Sequence, residues 1–278
     1  MPDRPETYYE AISAAVAELS ETGFTSQDRL NYWQERIRAA AERSMSSFTQ
    51  MEELLREGMT AIYKRLVENG GSARYVGNVA RFTLEQLKPK LRADLDRRIL
   101  ASANLIKLNR EQAIAKTLQR FSGWATSVPP GGSATVNKVD EKAQVKKALA
   151  ALPFEERRVL IDQGQKLTAS INETIALGSG AIAAIWHSHK GQLNYDGRPA
   201  HNARDGKIFA IRGNWALEKG LMNKGPNGYT DEIEAPAEFV FCRCYYTYLH
   251  NLRQLPETML TAKGKLALAE ARKRIQEL

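Results

Sequence analysis

With 278 residues, 43% of them hydrophobic, the chain can bury the core of one large domain or two modest ones. Two cysteines exclude a disulfide-stapled secreted scaffold, no apolar run approaches the roughly 18 to 20 residues of a membrane span, and no secretory signal is visible, so a reducing cytoplasm or a particle assembled there is expected. The net charge of +8 points to anionic surroundings, and the excess is concentrated: residues 88–120 carry nine Lys and Arg against three Asp and Glu.

From Tyr8 to about Phe121 the chain reads as helix, rich in Ala, Glu, Arg, Leu and Gln and without proline between Pro5 and Pro89. Thr7 caps a first helix carrying Ile12, Val16 and Leu19, which Gly23 ends. Ser26 caps a second, with Leu30, Trp33 and Ile37 as its apolar stripe. The second runs on through Met51, Leu55 and Ile62 to Asn69-Gly70-Gly71, with a break allowed near Ser44 to Ser47. A third starts near Ser72, carries Phe82, Leu87, Leu91, Leu95 and Ile99, and is expected to kink or divide at Pro89; a fourth carries Leu105, Leu108, Ile114, Leu118 and Phe121. Long helices with one-sided stripes predict a bundle or elongated hairpins. Lys88, Lys90, Arg92, Arg97, Arg98, Lys107, Arg110 and Lys116 are candidates for contact with DNA phosphates, which attract Lys and Arg without regard to base sequence; the alternative is a solvated helix face.

Pro129-Pro130-Gly131-Gly132-Ser133 is a linker by composition. It divides a helical arm or bundle (1–125) from an α+β domain (141–255), with 126–140 between them and 256–278 a basic C-terminal helix or tail. Within the second domain, helices over 141–152 and from Pro153 onward precede strands. Ala181 to Lys190 reads as one strand, putting His187 and His189 on one face and Trp186 on the other. Asp205-Gly206 marks a turn before Ile208 to Ile211. Pro236 to Leu249, aromatic and β-branched, reads as the clearest strand. The fold class is therefore α+β: a long-helix N-terminal region followed by a small α+β domain with a short antiparallel sheet.

Cys242 and Cys244 then share a face at a Cα separation of roughly 6.5 Å, near the far limit for a disulfide. Two thiolates there can share a metal with imidazoles from His201, His187 or His189, zinc being the ion that takes Cys and His in tetrahedral sites; two half-buried thiols beside an ordinary histidine is the other reading. No His-Glu-x-x-His, phosphate-binding glycine loop or Gly-x-Ser-x-Gly elbow appears. An enzyme is not expected; a metal-dependent nuclease or hydrolase using His187, His189, His201 and Asp205 is the less favoured alternative.

Trp186, Asp196-Gly197-Arg198, His201, Asp205-Gly206-Lys207-Ile208-Phe209 and Cys242-Arg243-Cys244, in that order, resemble the C-terminal domain of phage head morphogenesis proteins, the minor head protein family named after the F protein of phage Mu. The resemblance covers roughly residues 140 to 250. Where many members carry Pro-Pro-x-His-Pro before the closing Cys-Arg-Cys, this chain has Ala235-Pro236-Ala237-Glu238-Phe239-Val240-Phe241. The resemblance implies a minor capsid component of a tailed bacteriophage. Its expected partners are the portal protein, a scaffold or major capsid protein, and packaged double-stranded DNA contacted without sequence specificity; no membrane is expected. It implies residence inside the phage head, after assembly in the host cytoplasm. An internal DNA-binding or ejected virion protein is the alternative. No cofactor is required, with zinc at His201, Cys242 and Cys244 the one candidate.

Overall fold

In the computed structural model the described residues are 5–45, 47–77, 79–132, 143, 156–189 and 197–276. They form helices α1 (Tyr8–Thr22), α2 (Gln27–Ser44), α3 (Phe48–Tyr63), α4 (Ala73–Val76), α5 (Arg81–Ser127) and α6 (Glu156–Gly178), then β1 (Ala183–His187), α7 (Pro199–Asn202), β2 (Ile208–Ala210), α8 (Trp215–Glu218), β3 (Tyr245–Leu249) and α9 (Ala262–Gln276). The class is α+β, with long helices first and a small antiparallel sheet in the C-terminal part. None of the described helices is long and apolar enough to cross a membrane.

The chain divides into two compact units, Met1–Leu54 with Ala103–Glu156 and Leu55–Ser102 with Arg157–Leu278. This corrects the boundary expected from the linker, because residues 55–102 cluster with the C-terminal half. Specific contacts hold them there: Ser170 on α6 donates to Asp94 Oδ2 on α5 at 2.8 Å, and Tyr75 on α4 meets Tyr245 on β3 edge-to-face with centroids 5.5 Å apart.

In the first unit, Thr7 and Glu10 form a reciprocal capping box at the start of α1, and Ser26 Oγ accepts from Arg29 N at the start of α2. Ile12, Val16 and Leu19 pack with Leu30, Trp33 and Ile37 and with Ile114, Leu118 and Phe121 from the C-terminal stretch of α5. Glu18 closes the α1–α2 contact by accepting from Trp33 Nε1 at 3.1 Å and pairing with Arg29. The expected break after Ser44 is present.

Two other helix expectations are corrected. The predicted third and fourth helices are one, α5, with Pro89 inside it: a proline forfeits its own N–H bond, and Ala101-Ser102-Ala103 offers no breaker at the expected junction. Phe82, Leu105 and Leu108, assigned to apolar stripes, are exposed, Phe82 by 72%. Residues 126–132 are not a linker either, since α5 runs to Ser127 and the following turn docks on the end of α1: Gly131 N donates to Thr22 O and Phe24 N to Val128 O. Residues 133–140 and, Ala143 apart, the helix expected over 141–152 lie outside the described residues.

In the second unit the strand order is β2-β1-β3, both pairings antiparallel, with Ile185 opposite Ile208 on one side and Thr247 on the other. Side chains alternate across a strand. One face of the sheet therefore collects Ala183, Ala210 and Leu249 with Met222, Leu252 and Met259, and the other collects Ala184, Trp186, Phe209 and Tyr246 with both cysteines. The C-terminal segment is a helix packed on the first of these faces. Gly264 is buried where a Cβ would stand 2.0 Å from the Leu221 carbonyl oxygen, and Leu268 packs against the same cluster. Only glycine allows α9 to approach so closely.

Candidate metal centre

The strand expected over Pro236 to Leu249 forms only in its last five residues. Ahead of it the chain turns: Ala237 and Phe241 adopt φ of 66° and 62°, and Cys242 N donates to Phe239 O at 3.1 Å. Left-handed backbone is unfavourable for a bulky aromatic such as Phe241. It is held by Asp162 on α6, whose Oδ1 accepts from Phe241 N at 2.6 Å while Oδ2 faces Lys166 Nζ at 3.1 Å. Asp162 is 5% exposed, a buried carboxylate that sequence reading passed over because it sits between ordinary helical residues. The two thiols reach the same side as expected, through a loop instead of a pleated strand.

The opposing wall is assembled around Trp186, which is fully buried. Trp186 N donates to Lys207 O and Gly206 N donates back to Trp186 O, so the turn after α7 is stitched to β1. Gly206 adopts φ +75°, which favours glycine. Asp205 Oδ1 accepts from Ser188 N at 2.8 Å, making it a fastener for the end of β1. Arg204, another residue the sequence did not single out, lies over the Trp186 ring at 5.2 Å and pairs with Glu234 at 2.6 Å. Pro199 starts α7, whose short turn carries His201 inward until it is 3% exposed and edge-on to Trp186, ring centroids 5.2 Å apart.

His201 Nδ1 is 3.5 Å from Cys242 Sγ and 3.6 Å from Cys244 Sγ. Zinc bonds of about 2.3 Å to sulfur and about 2.05 Å to nitrogen, meeting at the tetrahedral angle, separate those atoms by about 3.6 Å. The spacing therefore fits one ion held by all three residues. Among the described residues this is the one group of His, Cys, Asp and Glu side chains with ligand atoms within 4.8 Å of one another. Both cysteines are free and buried. A hydrogen bond from Cys244, supported by the amides of Cys244 and Ala237, pulls the Cys242 thiol down to about 5 against the opposing effect of burial. The Cys244 thiol is pushed well up, first by the neighbouring Cys242 and then by burial. A zinc ion at this place would be held by the Cys242 and Cys244 thiolates and His201 Nδ1.

The remaining candidates lie elsewhere. His187 stacks on Tyr245 at 4.8 Å and shares a hydrogen bond of 2.8 Å with Thr247 Oγ1, so its ring is committed to the other face of the sheet. The backbone of His189 donates to Cys244, which places it beside the centre without its ring joining the ligand group. The His187, His189, His201 and Asp205 set entertained for hydrolysis thus does not assemble. Arg198 covers Phe239 at 5.0 Å and donates to Val240 O at 3.0 Å, bracing the cysteine loop; Arg243 lines a cavity on the α6 side; Asp196 lies outside the described residues.

The basic candidates on α5 form no single stripe. At about 100° per residue Lys88 and Arg92 share one side while Lys90 and Arg97 lie opposite. Lys88 pairs with Glu85, Arg92 lies over the Tyr63 ring at 5.0 Å, and Arg97 and Arg98 both pair with Asp94. Lys107, Arg110 and Lys116 belong to the other unit.

Comparison with known protein families, curated proteins and solved structures finds no match to this chain.

Proposed function

We propose that this chain is a minor head protein of a tailed bacteriophage, acting in head morphogenesis in association with the portal and the packaged DNA, and that its His201, Cys242 and Cys244 centre holds a structural zinc ion. The observation that carries the reading is the convergence of residues scattered over nearly sixty positions of sequence on one small module: Trp186 against His201, the Asp205-Gly206 turn bonded to β1, and both cysteines at His201 Nδ1. Those are the elements whose order resembles the minor head protein family. Zinc supplies a cross-link there, tying the cysteine loop to α7 in a part of the fold with only three short strands. Assembly needs a rigid module more than it needs a reactive one, and three buried ligands backed by Trp186 and Arg204 suit that demand.

The test is the protein's place in the particle. Mass spectrometry and electron cryo-microscopy of purified portal-containing heads should find it inside, at a defined copy number. Its absence from such heads overturns the assignment. Elemental analysis of the protein alone checks the zinc separately.

A further inference from the structure

A structural zinc ion is tetrahedral and takes all four ligands from the protein. His201, Cys242 and Cys244 supply three, which leaves one corner to be filled. Burial and charge restrict what fills it. His201 is 3%, Cys242 1% and Cys244 6% exposed, so the ion is shut away from bulk water, and two thiolates already cancel its double positive charge. A carboxylate at the fourth corner leaves a net negative charge in a buried place, which is costly, whereas a neutral imidazole adds none. The acids around the cysteine loop and the end of β1 are also committed: Asp162 to Phe241 N and Lys166, Asp205 to Ser188 N, Glu234 to Arg204 and Glu238 to Ala235 N.

His189 is the imidazole in reach. β1 ends at His187, which pairs with Tyr245, and Asp205 takes the Ser188 amide at 2.8 Å, so the chain leaves the sheet alongside the cysteines. The next amide, that of His189, donates to the Cys244 sulfur, and a residue whose N–H is bonded to a ligand's sulfur keeps its own side chain next to that sulfur. His189 and Cys244 also line the same cavity on the α6 side, and the His189 Nε2 is closed to solvent. We infer that His189 is the fourth zinc ligand, making a closed site of two cysteines and two histidines. Its ring stands outside the group of converged ligand atoms and reaches the ion by turning about its χ1 and χ2 bonds, the amide staying on Cys244. The inference rests on the zinc reading and completes it: the ion then ties the exit of β1, as well as α7, to the cysteine loop.

Nuclear magnetic resonance of the full-length protein, loaded with a magnetic isotope of cadmium in place of zinc and isotope-labelled at the histidine nitrogens, counts the bound rings through the coupling between metal and ring nitrogen. The chain has four histidines. Two should show the coupling; His189→Ala should leave one, that of His201, with cadmium still bound, and His187→Ala should retain both. Competition with a chelator should report an affinity for zinc lower by about tenfold or more in His189→Ala. A residue that only supports the ligands from behind weakens binding by a similar factor, so the count of coupled rings is what decides. One coupled ring in the parent, two that persist in His189→Ala, or the loss of one in His187→Ala overturns the inference and leaves the zinc reading standing. Reduced protein that binds neither cadmium nor zinc overturns both.

Discussion

Asp162 is the residue whose removal should show how the cysteine loop is kept in place. Its carboxylate is 5% exposed, accepts from Phe241 N at 2.6 Å and faces Lys166 at 3.1 Å, and so holds a phenylalanine in backbone of φ 62° one residue before the candidate ligand Cys242. A hydrogen bond to a charged group contributes about 1.5–3 kcal/mol, and it is lost at a residue whose conformation already costs roughly 1–2 kcal/mol. Asp162→Ala should therefore lower the free energy of loop opening in the metal-free protein by about 2 kcal/mol, which multiplies the open population by about 30. Cys242 is 1% exposed, so reaction with a thiol reagent such as Ellman's reports that opening directly, and the rate should rise about 30-fold under native conditions. Phe241→Gly supplies the contrast. It relieves the left-handed strain while loosening the unfolded chain, so stability should stay within about 1 kcal/mol of the parent and labelling within roughly fivefold. Parental labelling rates in Asp162→Ala refute the claim that this carboxylate holds the loop, as does a large loss in Phe241→Gly.

Glu18 is held below the ordinary carboxylate range chiefly by its hydrogen bond from Arg29, so its contribution is present above that range and lost as pH falls through the depressed value; acid titration of stability should show this loss in the parent and not in Glu18→Gln. At Gly264, alanine places a Cβ against the Leu221 carbonyl, and amide hydrogen exchange along α9 should quicken with a loss of about 1–3 kcal/mol; unchanged protection there contradicts the close packing. Replacing Trp186 by Ala removes a fully buried indole that touches both His201 and Tyr246, and chemical denaturation should report a loss of about 3–5 kcal/mol.

Local chemistry was legible where neighbours in sequence set it. Thr7 and Ser26 cap where caps are expected, the stripes of α1 and α2 are core, and the Asp205-Gly206 turn precedes a strand. What was not legible depends on distant partners. No pattern announces that Asp162 holds Phe241, seventy-nine positions away, or that Arg204 caps the Trp186 ring. The aromatic run before Cys242 has the composition of a strand, yet it turns, because tertiary bonds outweigh β propensity there. Pro-Pro-Gly-Gly has the composition of a linker, yet its described part is bonded to the end of α1. The cysteines and His201 were recognisable as a possible ligand set from residue type; that the His187 ring faces away from them shows only in the sheet register and its stack on Tyr245.

X-ray absorption at the zinc edge, on protein purified without chelators, tests the zinc proposed at His201, Cys242 and Cys244. The account predicts about one zinc per chain, with two sulfur neighbours at about 2.3 Å and nitrogen or oxygen at about 2.0–2.1 Å, and loss of the sulfur shell in the Cys242→Ser and Cys244→Ser double variant. Protein that binds no zinc when reduced and supplied with it, or zinc bound in a shell without sulfur, contradicts it.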